Sequence, residues 1–289
     1  MMIVKAPAKI NLYLEILNKR PDGYHNIESV MHTISLFDIL EISERQDNKI
    51  ELICENSTLP SNDKKNLVYR AAEKFKEQYG ISKGIKIKLI KNIPMGAGLG
   101  GGSSDAAATI LALNKIWKVN DDMKNLEILG SKLGADVPFF MSGGVAKISG
   151  IGDIVEKINT NLSLDFILVK PNFGVSTPYA YSKVKFPLTN IRKIDNIIND
   201  LEKGVFDFES AKDLFFNRFE DFIFDEYQEI KQIRKVLEEL GCASLMSGSG
   251  ATVFGLVHDK KNIDFILNEL KKYSWNIWVA SSFEVSKES

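Results

Sequence analysis

Apolar and polar residues alternate near the start of the chain: Ile10, Leu12, Leu14 and Ile16 are interleaved with Lys9, Asn11, Tyr13 and Glu15. Alternate side chains of a strand leave on opposite faces, so Ile3 to Ile16 reads as β-structure with Lys9 and Asn11 on the face away from the aliphatic stripe. Pro7 interrupts the ladder just before Lys9, and Asn is disfavoured in strands, which sets this polar face apart from an ordinary solvated one. A turn, Asn18 to Gly23, delivers Tyr24 and His25 to the mouth of a second long strand, ESVMHTISLFDILEI. Ile50 to Cys54 is a third strand. NLVYRAAEKFKEQYG is an amphipathic helix ended by Gly80, and GIKIKLIKN alternates Lys with Ile or Leu, putting Lys86 and Lys88 on one face with Lys83 and Lys91 nearby. A helix follows from about Asp122 to Leu133, then a strand-like stretch, VAKISGIGDIVEKI. Leu164 to Lys170 is an apolar strand, PNFGVSTPYAY a loop entering a helix, and about Lys193 to Leu240 a helical region with a Phe/Ile core face. Met246 to Leu256 joins a glycine loop to a buried strand, and a helix and a strand close the chain.

One stretch breaks these periods. From Pro94 to Ala108 the chain reads PMGAGLGGGSSDAAA, with Gly96, Gly98, Gly100, Gly101 and Gly102 followed by Ser103 and Ser104. Residues without a Cβ let backbone take positive φ and approach a ligand closely. A helix starting at Ser103 or Ser104 presents unpaired N–H groups and the positive end of its dipole to the same space. Together these make an anion site, most economically one for phosphate. The pattern GxxxxGK[ST] fails because no Lys follows the glycines. GxGxxG matches at Gly96, Gly98 and Gly101, but the acids that follow, Asp121 and Asp122, sit in a polar turn rather than at a strand end, which disfavours a dinucleotide fold.

Composition adds limits. The 289 residues suffice for one large or two modest domains, and a boundary near 150 to 160 divides the chain into 1–155 and 156–289. A net charge of −1 gives no global attraction to nucleic acid or anionic lipid, so any phosphate preference is local. Two distant cysteines, Cys54 and Cys242, form no disulfide framework or metal spacing and fit a reducing compartment. No apolar run is long enough to span a membrane, and the N-terminus meets polar residues too soon for a signal-peptide core. A cytoplasmic protein is expected, without nucleic-acid or membrane partners, as monomer or homodimer.

The strand, Pro-Met, glycine run, Ser-Ser and helix resemble the phosphate loop of the GHMP kinases, the galactokinase, homoserine, mevalonate and phosphomevalonate kinases and their relatives. GLGGGSSDAAA is especially similar to the branch in the non-mevalonate isoprenoid pathway, whose acceptor is the 2-hydroxyl of a cytidyl-diphosphate-linked methylerythritol. AKINLYLEILNKRPDGYHNIESVMHTISL, GADVPFF and SGSGATVFG resemble the same branch. Ala97 stands where that branch often has Gly, and would be strained if the loop needs positive φ there.

The resemblance implies an α+β fold of two domains, an N-terminal one like ribosomal protein S5 domain 2 and a C-terminal ferredoxin-like one, with the site between them. It also implies ATP bound by Pro94, Met95, Gly96, Ala97, Gly98, Leu99, Gly100, Gly101, Gly102, Ser103 and Ser104, with Mg²⁺ carried on the nucleotide and no assigned protein ligands. Asp136 would take or orient the acceptor proton, and Lys9 would stabilise developing charge. A carboxylate beside Lys⁺ stays ionised near neutrality and can accept a proton. Read from residue type alone, Asp136 is equally a helix cap or turn former. Tyr24 and Tyr181 would sandwich a cytosine ring, with Asn11, His25 and Thr177 completing the substrate contacts. Two other readings stay open: another GHMP kinase of the homoserine or mevalonate type, and a non-catalytic nucleotide-binding relative. The Lys86/Lys88 stripe is the sole feature favouring a nucleic-acid module.

Overall fold

In the computed structural model, described for residues 1–56, 60–161, 163–188 and 194–284, the chain opens with a long hairpin of β1 (Met2–Lys19) and β2 (His25–Arg45). Their register slips between Pro7 and Ala8, where Pro7 cannot donate to the ladder. Then come β3 (Ile50–Glu55), α1 (Leu67–Tyr79), β4 (Gly84–Ile90), α2 (Gly101–Ile116), α3 (Met123–Ser131), α4 (Val137–Ser142), β5 (Val145–Ser149) and β6 (Ile154–Ile158). The remainder comprises β7 (Asp165–Lys170), α5 (Thr177–Lys183), α6 (Asp195–Glu202), α7 (Phe208–Leu214), β8 (Phe216–Asn217), α8 (Glu220–Ile223), α9 (Gln228–Glu239), β9 (Cys242–Met246), β10 (Val253–Val257), α10 (Ile263–Leu270) and β11 (Asn276–Ser281).

The first sheet runs β3-β4-β2-β1-β8. β2 is long enough to pair twice on one edge, with β4 through Ile39–Arg45 and with β5 through Ser29–His32, and β6 extends from β5. Leu40, Ile42, Leu52, Ile85 and Ile87 of this sheet bury against Val68, Ala72 and Phe75 of α1 and Ala106, Ile110 and Leu113 of α2. The alanines of α2 have no bulk to hold it off the strands. The second sheet is antiparallel in the order β11-β7-β10-β9, which, with α9 and α10, is the ferredoxin-like arrangement. Its strands alternate cleanly: Phe166, Leu168 and Phe254 face Ile10, Leu12 and Tyr13 of β1, while Ile167, Val169 and Val253 face Ile230 and Ile233 of α9 and Ile266 of α10. The expected α+β class and its two halves are thus present.

Several expectations need correction. The helix after the glycine run starts at Gly101, not at Ser103 or Ser104, because Gly100 takes the left-handed N-cap position (φ 70°). The polar face of β1, already set apart from a solvated one in the sequence, is closed by the glycine run on the side away from the second sheet: Lys9 and Asn11 are 4% and 0% exposed, and a Cβ on Gly100 would stand 3.1 Å from Lys9 Cγ. The helical region expected to about Leu240 is four helices broken by β8, and its expected start, Lys193, lies outside the described residues. The stretch after Gly144 is two strands, turned by Gly150 and Gly152 at positive φ. No helix among the described residues is long and apolar enough to cross a membrane.

Candidate active site

The glycine run leaves β4 and packs across the middle of β1 at Lys9. Gly96, Gly98 and Gly100 take φ of 60°, 73° and 70°, whereas Ala97 stays out of the left-handed region and is buried, so its methyl group introduces no backbone strain. Three segments hold the run in place. From β1, the Lys9 N–H donates to Leu99 O (3.0 Å). From the loop after β7, the Val175 N–H donates to Gly96 O (3.3 Å). From the second glycine loop, Ser247 Oγ donates to Gly98 O (2.9 Å) and the Thr252 N–H to Ala97 O (3.2 Å). The fit is tight enough that a Cβ on Gly98 would lie 2.0 Å from Ser247 O. The Ser104 N–H closes the first turn of α2 on Gly100 O (3.0 Å), leaving the N–H groups of Gly101, Gly102 and Ser103 without partners inside the helix. That is an anion cradle at the positive end of a sixteen-residue helix.

Lys9 reaches into this cradle, with its Nζ 3.2 Å from where a Cβ on Gly248 would stand. It donates to Asn11 Oδ1 (2.6 Å), and Asn11 Nδ2 donates to Ser29 Oγ (2.8 Å), so the two polar residues of β1 form one buried chain. Burial pulls the Lys9 ammonium below its ordinary value, and the Asp136 charge partly offsets this. Asp136 is the N-cap residue of α4, but its helical φ and ψ (−76°, −11°) take its side chain away from capping, and it makes no cap hydrogen bond. Its half-buried carboxylate therefore stays available at the cavity wall.

The expected aromatic residues border the same cavity. Tyr24 is 60% exposed at the rim and does not stack on Tyr181. His25 does: its ring lies 5.0 Å from Tyr181 at 19° and 5.7 Å from Phe186 at 12°. The reason is strand alternation, since His25 starts β2 facing inward and its predecessor is left outside. Burial, then the Lys19 charge, lowers the His25 imidazole below its usual range, which keeps it neutral near pH 7. Tyr181 also meets Phe219 edge-on at 4.9 Å, and burial and the Asp136 charge raise its phenol above the ordinary range. Thr177 Oγ1 shares a hydrogen bond with Ser249 Oγ (3.0 Å), tying α5 to the second glycine loop.

These groups line one cavity of about 880 Å³. Lys9, Asn11, Tyr24, His25, Asp136, Thr177, Tyr181 and the run Pro94 to Ser103 all border it, but Ser104 does not, because its hydroxyl is buried beneath α2. Three residues of the lining were not singled out individually in the sequence. Gly248 and Ser249 complete the wall opposite Gly98, a role hinted at only by the second glycine run. Lys91, grouped by pattern with the solvated lysines, is buried between Asp38 and Asp105, at 2.8 Å from Asp105 Oδ2. Burial alone would lower the Lys91 ammonium, but the two carboxylates outweigh it and raise it; burial in turn raises Asp105. Lys86 and Lys88, by contrast, pair with Glu51 (3.0 Å) and Glu55 (3.2 Å), so the stripe is locally neutralised and offers little to a phosphate backbone.

Comparison with known proteins agrees with this geometry. The family described as GHMP kinases N terminal domain matches residues 66–144, and GHMP kinases C terminal matches residues 197–274. A 4-diphosphocytidyl-2-C-methyl-D-erythritol kinase of Bacillus cereus (strain B4264) is 41% identical over 278 residues, 96% of this chain and 95% of its own length. The chain belongs to the GHMP kinase family. As such it is an ATP-dependent small-molecule kinase. A crystal structure of 4-(cytidine 5'-diphospho)-2C-methyl-D-erythritol kinase superposes with a TM-score of 0.81 at 32% identity, covering 97% of this chain and 98% of that one. A mevalonate kinase structure shares the GHMP kinase fold at a TM-score of 0.74 and 18% identity, covering 99% of this chain and 100% of that one.

Proposed function

We propose that this GHMP kinase transfers the terminal phosphoryl group of ATP to the 2-hydroxyl of 4-diphosphocytidyl-2-C-methyl-D-erythritol, a step of the non-mevalonate isoprenoid pathway. The observation that carries the reading is the cavity itself. An anion cradle with Lys9 and Asp136 opens onto an aromatic and imidazole surface of Tyr181, His25 and Tyr24. A small aliphatic acceptor has no use for that surface; a pyrimidine ring does. The Bacillus relative, at 41% identity over nearly its full length, supports the same acceptor.

Phosphoryl transfer asks for placed phosphates, compensated charge and an aligned hydroxyl. In this reading the run Pro94 to Ser103 holds the donor's phosphates through backbone N–H groups. Lys9, whose ammonium burial disfavours, regains proton affinity when phosphate charge arrives beside it. Asp136, free of capping duty, accepts or orients the acceptor proton. Among the described residues no group of three or more His, Cys, Asp or Glu could hold a metal alone. Mg²⁺ would arrive on the nucleotide, and the Asp136 carboxylate and the Ser103 hydroxyl, both on the cavity wall, are hard oxygen donors that would hold it. When bound, Mg²⁺ neutralises charge developing on the phosphates. Asn11 orients Lys9, and Thr177 ties α5, which carries Tyr181, to the second glycine loop. The division into 1–155 and 156–289 is proposed with its edge moved beyond Ile158, because a cut at 155 would sever β6.

A coupled ATP-consumption assay offering the cytidyl-diphospho substrate, mevalonate and homoserine in turn tests the assignment. Turnover with the first alone is expected. Equal turnover with either of the others would replace it, and binding of an ATP analogue without any turnover would leave a non-catalytic relative.

A further inference from the structure

Asn217 touches no part of the cavity, yet its carboxamide is fully engaged around it. Nδ2 donates to Met246 O (2.6 Å) and Gly248 O (2.7 Å), while Oδ1 accepts from the Phe219 N–H (3.0 Å). Two carbonyls on one side and an N–H on the other fix which way the amide points. The side chain is 1% exposed, and Glu220, one turn on, accepts the Met246 N–H (2.8 Å). Both backbone groups of Met246 are therefore gripped from one short segment.

That segment is paired to the strand that carries Lys9. β8 pairs parallel with β1 at Tyr13 and Leu14, and the Arg218 N–H donates to Leu14 O (2.9 Å). Arg218 meets Glu15 with two bonds of 2.7 Å in the interior. β1 thus sends two arms toward the cradle. One is direct, through Lys9. The other runs through β8 and Asn217 to Gly248, beside Lys9 and Gly98.

We propose that Asn217 is a positioning residue for the phosphoryl donor. It sets the second glycine loop, and through Ser247 and Gly248 the register of Gly98 against Lys9. This rests on the assignment of the cradle to ATP phosphates given above. A carboxylate of the same shape at this position would face two carbonyls without a donor, so Asn217→Asp removes the grip with little change in volume.

Calorimetry of a non-hydrolysable ATP analogue, together with steady-state kinetics, tests it. Asn217→Asp is expected to weaken analogue binding and raise the KM for ATP on the order of tenfold, the scale of one or two lost buried hydrogen bonds. The KM for the cytidyl substrate should stay within about twofold of wild type. Ser247→Ala, which leaves every Asn217 bond intact, should weaken the analogue in the same selective way. The double variant should lose less than the product of the two single effects. If Asn217→Asp does not fold, Asn217→Ser, which cannot donate to both Met246 O and Gly248 O but adds no charge, decides by the same readouts. Equal losses for both substrates, or a lower melting temperature with unchanged analogue affinity, would overturn the role. Wild-type protein that binds the analogue but phosphorylates no cytidyl substrate would instead remove the proposed acceptor and leave this inference standing.

Discussion

Asp136 stands where a helix asks for a cap and does not supply one. Its backbone is already helical, which swings the carboxylate off the first turn of α4 and into the cavity. Removing that carboxylate should therefore cost chemistry rather than helix. Asp136→Ala is expected to lower kcat by about 10²–10⁴-fold, the range for a positioned acid or base, with the melting temperature nearly unchanged. Stopped assays on folded protein check this, and an unchanged kcat would remove the role. In the sequence Asp136 stayed balanced between cap and acid, since residue type alone cannot say which way a side chain leaves the turn. Lys9 was easier, because Pro7 before it and Asn11 after it are both out of place in an ordinary strand. Tyr24 and Tyr181 were chosen by chemistry as the two sides of a cytosine ring, and the one-residue phase of β2 brings His25 against Tyr181 as well. Replacing His25 with Ala should accordingly raise the KM for the cytidyl substrate more than that for ATP, as initial-rate measurements with each substrate varied would report.

Among elements, the glycine run was the most legible, because loss of side chains in five of seven positions has few explanations. Its bracing was not legible, as Ser247, Gly248 and Val175 come from distant parts of the chain. Gly98 shows how narrow the tolerance is. With a Cβ 2.0 Å from Ser247 O and a φ of 73°, Gly98→Ala must displace one loop or the other. A loss of ATP-analogue binding larger than for any single side-chain removal around the cradle is expected in calorimetry. β8 escaped reading because two residues carry no period, and the surrounding Phe and Ile pattern suited helix equally well. Lys91 was misgrouped for a related reason. It lies just past the end of β4, where Asn92 and Ile93 take N–H bonds to Asp38 Oδ1 (2.6 and 2.8 Å) and turn the chain inward. In α1, Phe75 is fully buried against both Tyr79 and Trp117, and Phe75→Ala should cost about 3–5 kcal/mol in urea unfolding while leaving kcat per folded molecule intact.

At the scale of the molecule the sheets are joined at their far end as well. His32 of β2 is 1% exposed, its Nε2 lies 2.8 Å from Ser282 Oγ, and its Nδ1 faces Gly144 O at 3.4 Å. Gly144 O can only accept, so Nδ1 carries the ring hydrogen and Nε2 accepts from the Ser282 hydroxyl, whose oxygen also takes the Leu164 N–H (2.9 Å). Burial pushes this imidazole down to about 4, with the Gly144 carbonyl opposing. A depressed value in the folded state means that the unfolded chain binds the proton first. The stability held above pH 6.5 is therefore lost as pH falls from 6.5 through 4, by up to about 3 kcal/mol. Urea midpoints across that window should fall more steeply for wild type than for His32→Gln, and parallel slopes would clear His32 of the effect.

The place of β8 has a last consequence. Phe216 and Asn217 come late in the chain but finish the sheet begun by Met2, on its open edge beside β1. A protease nick between Ile158 and Asp165 would free the backbone without freeing the pieces. The fragments should co-elute, and either one made alone should be an incomplete sheet that seeks its missing half.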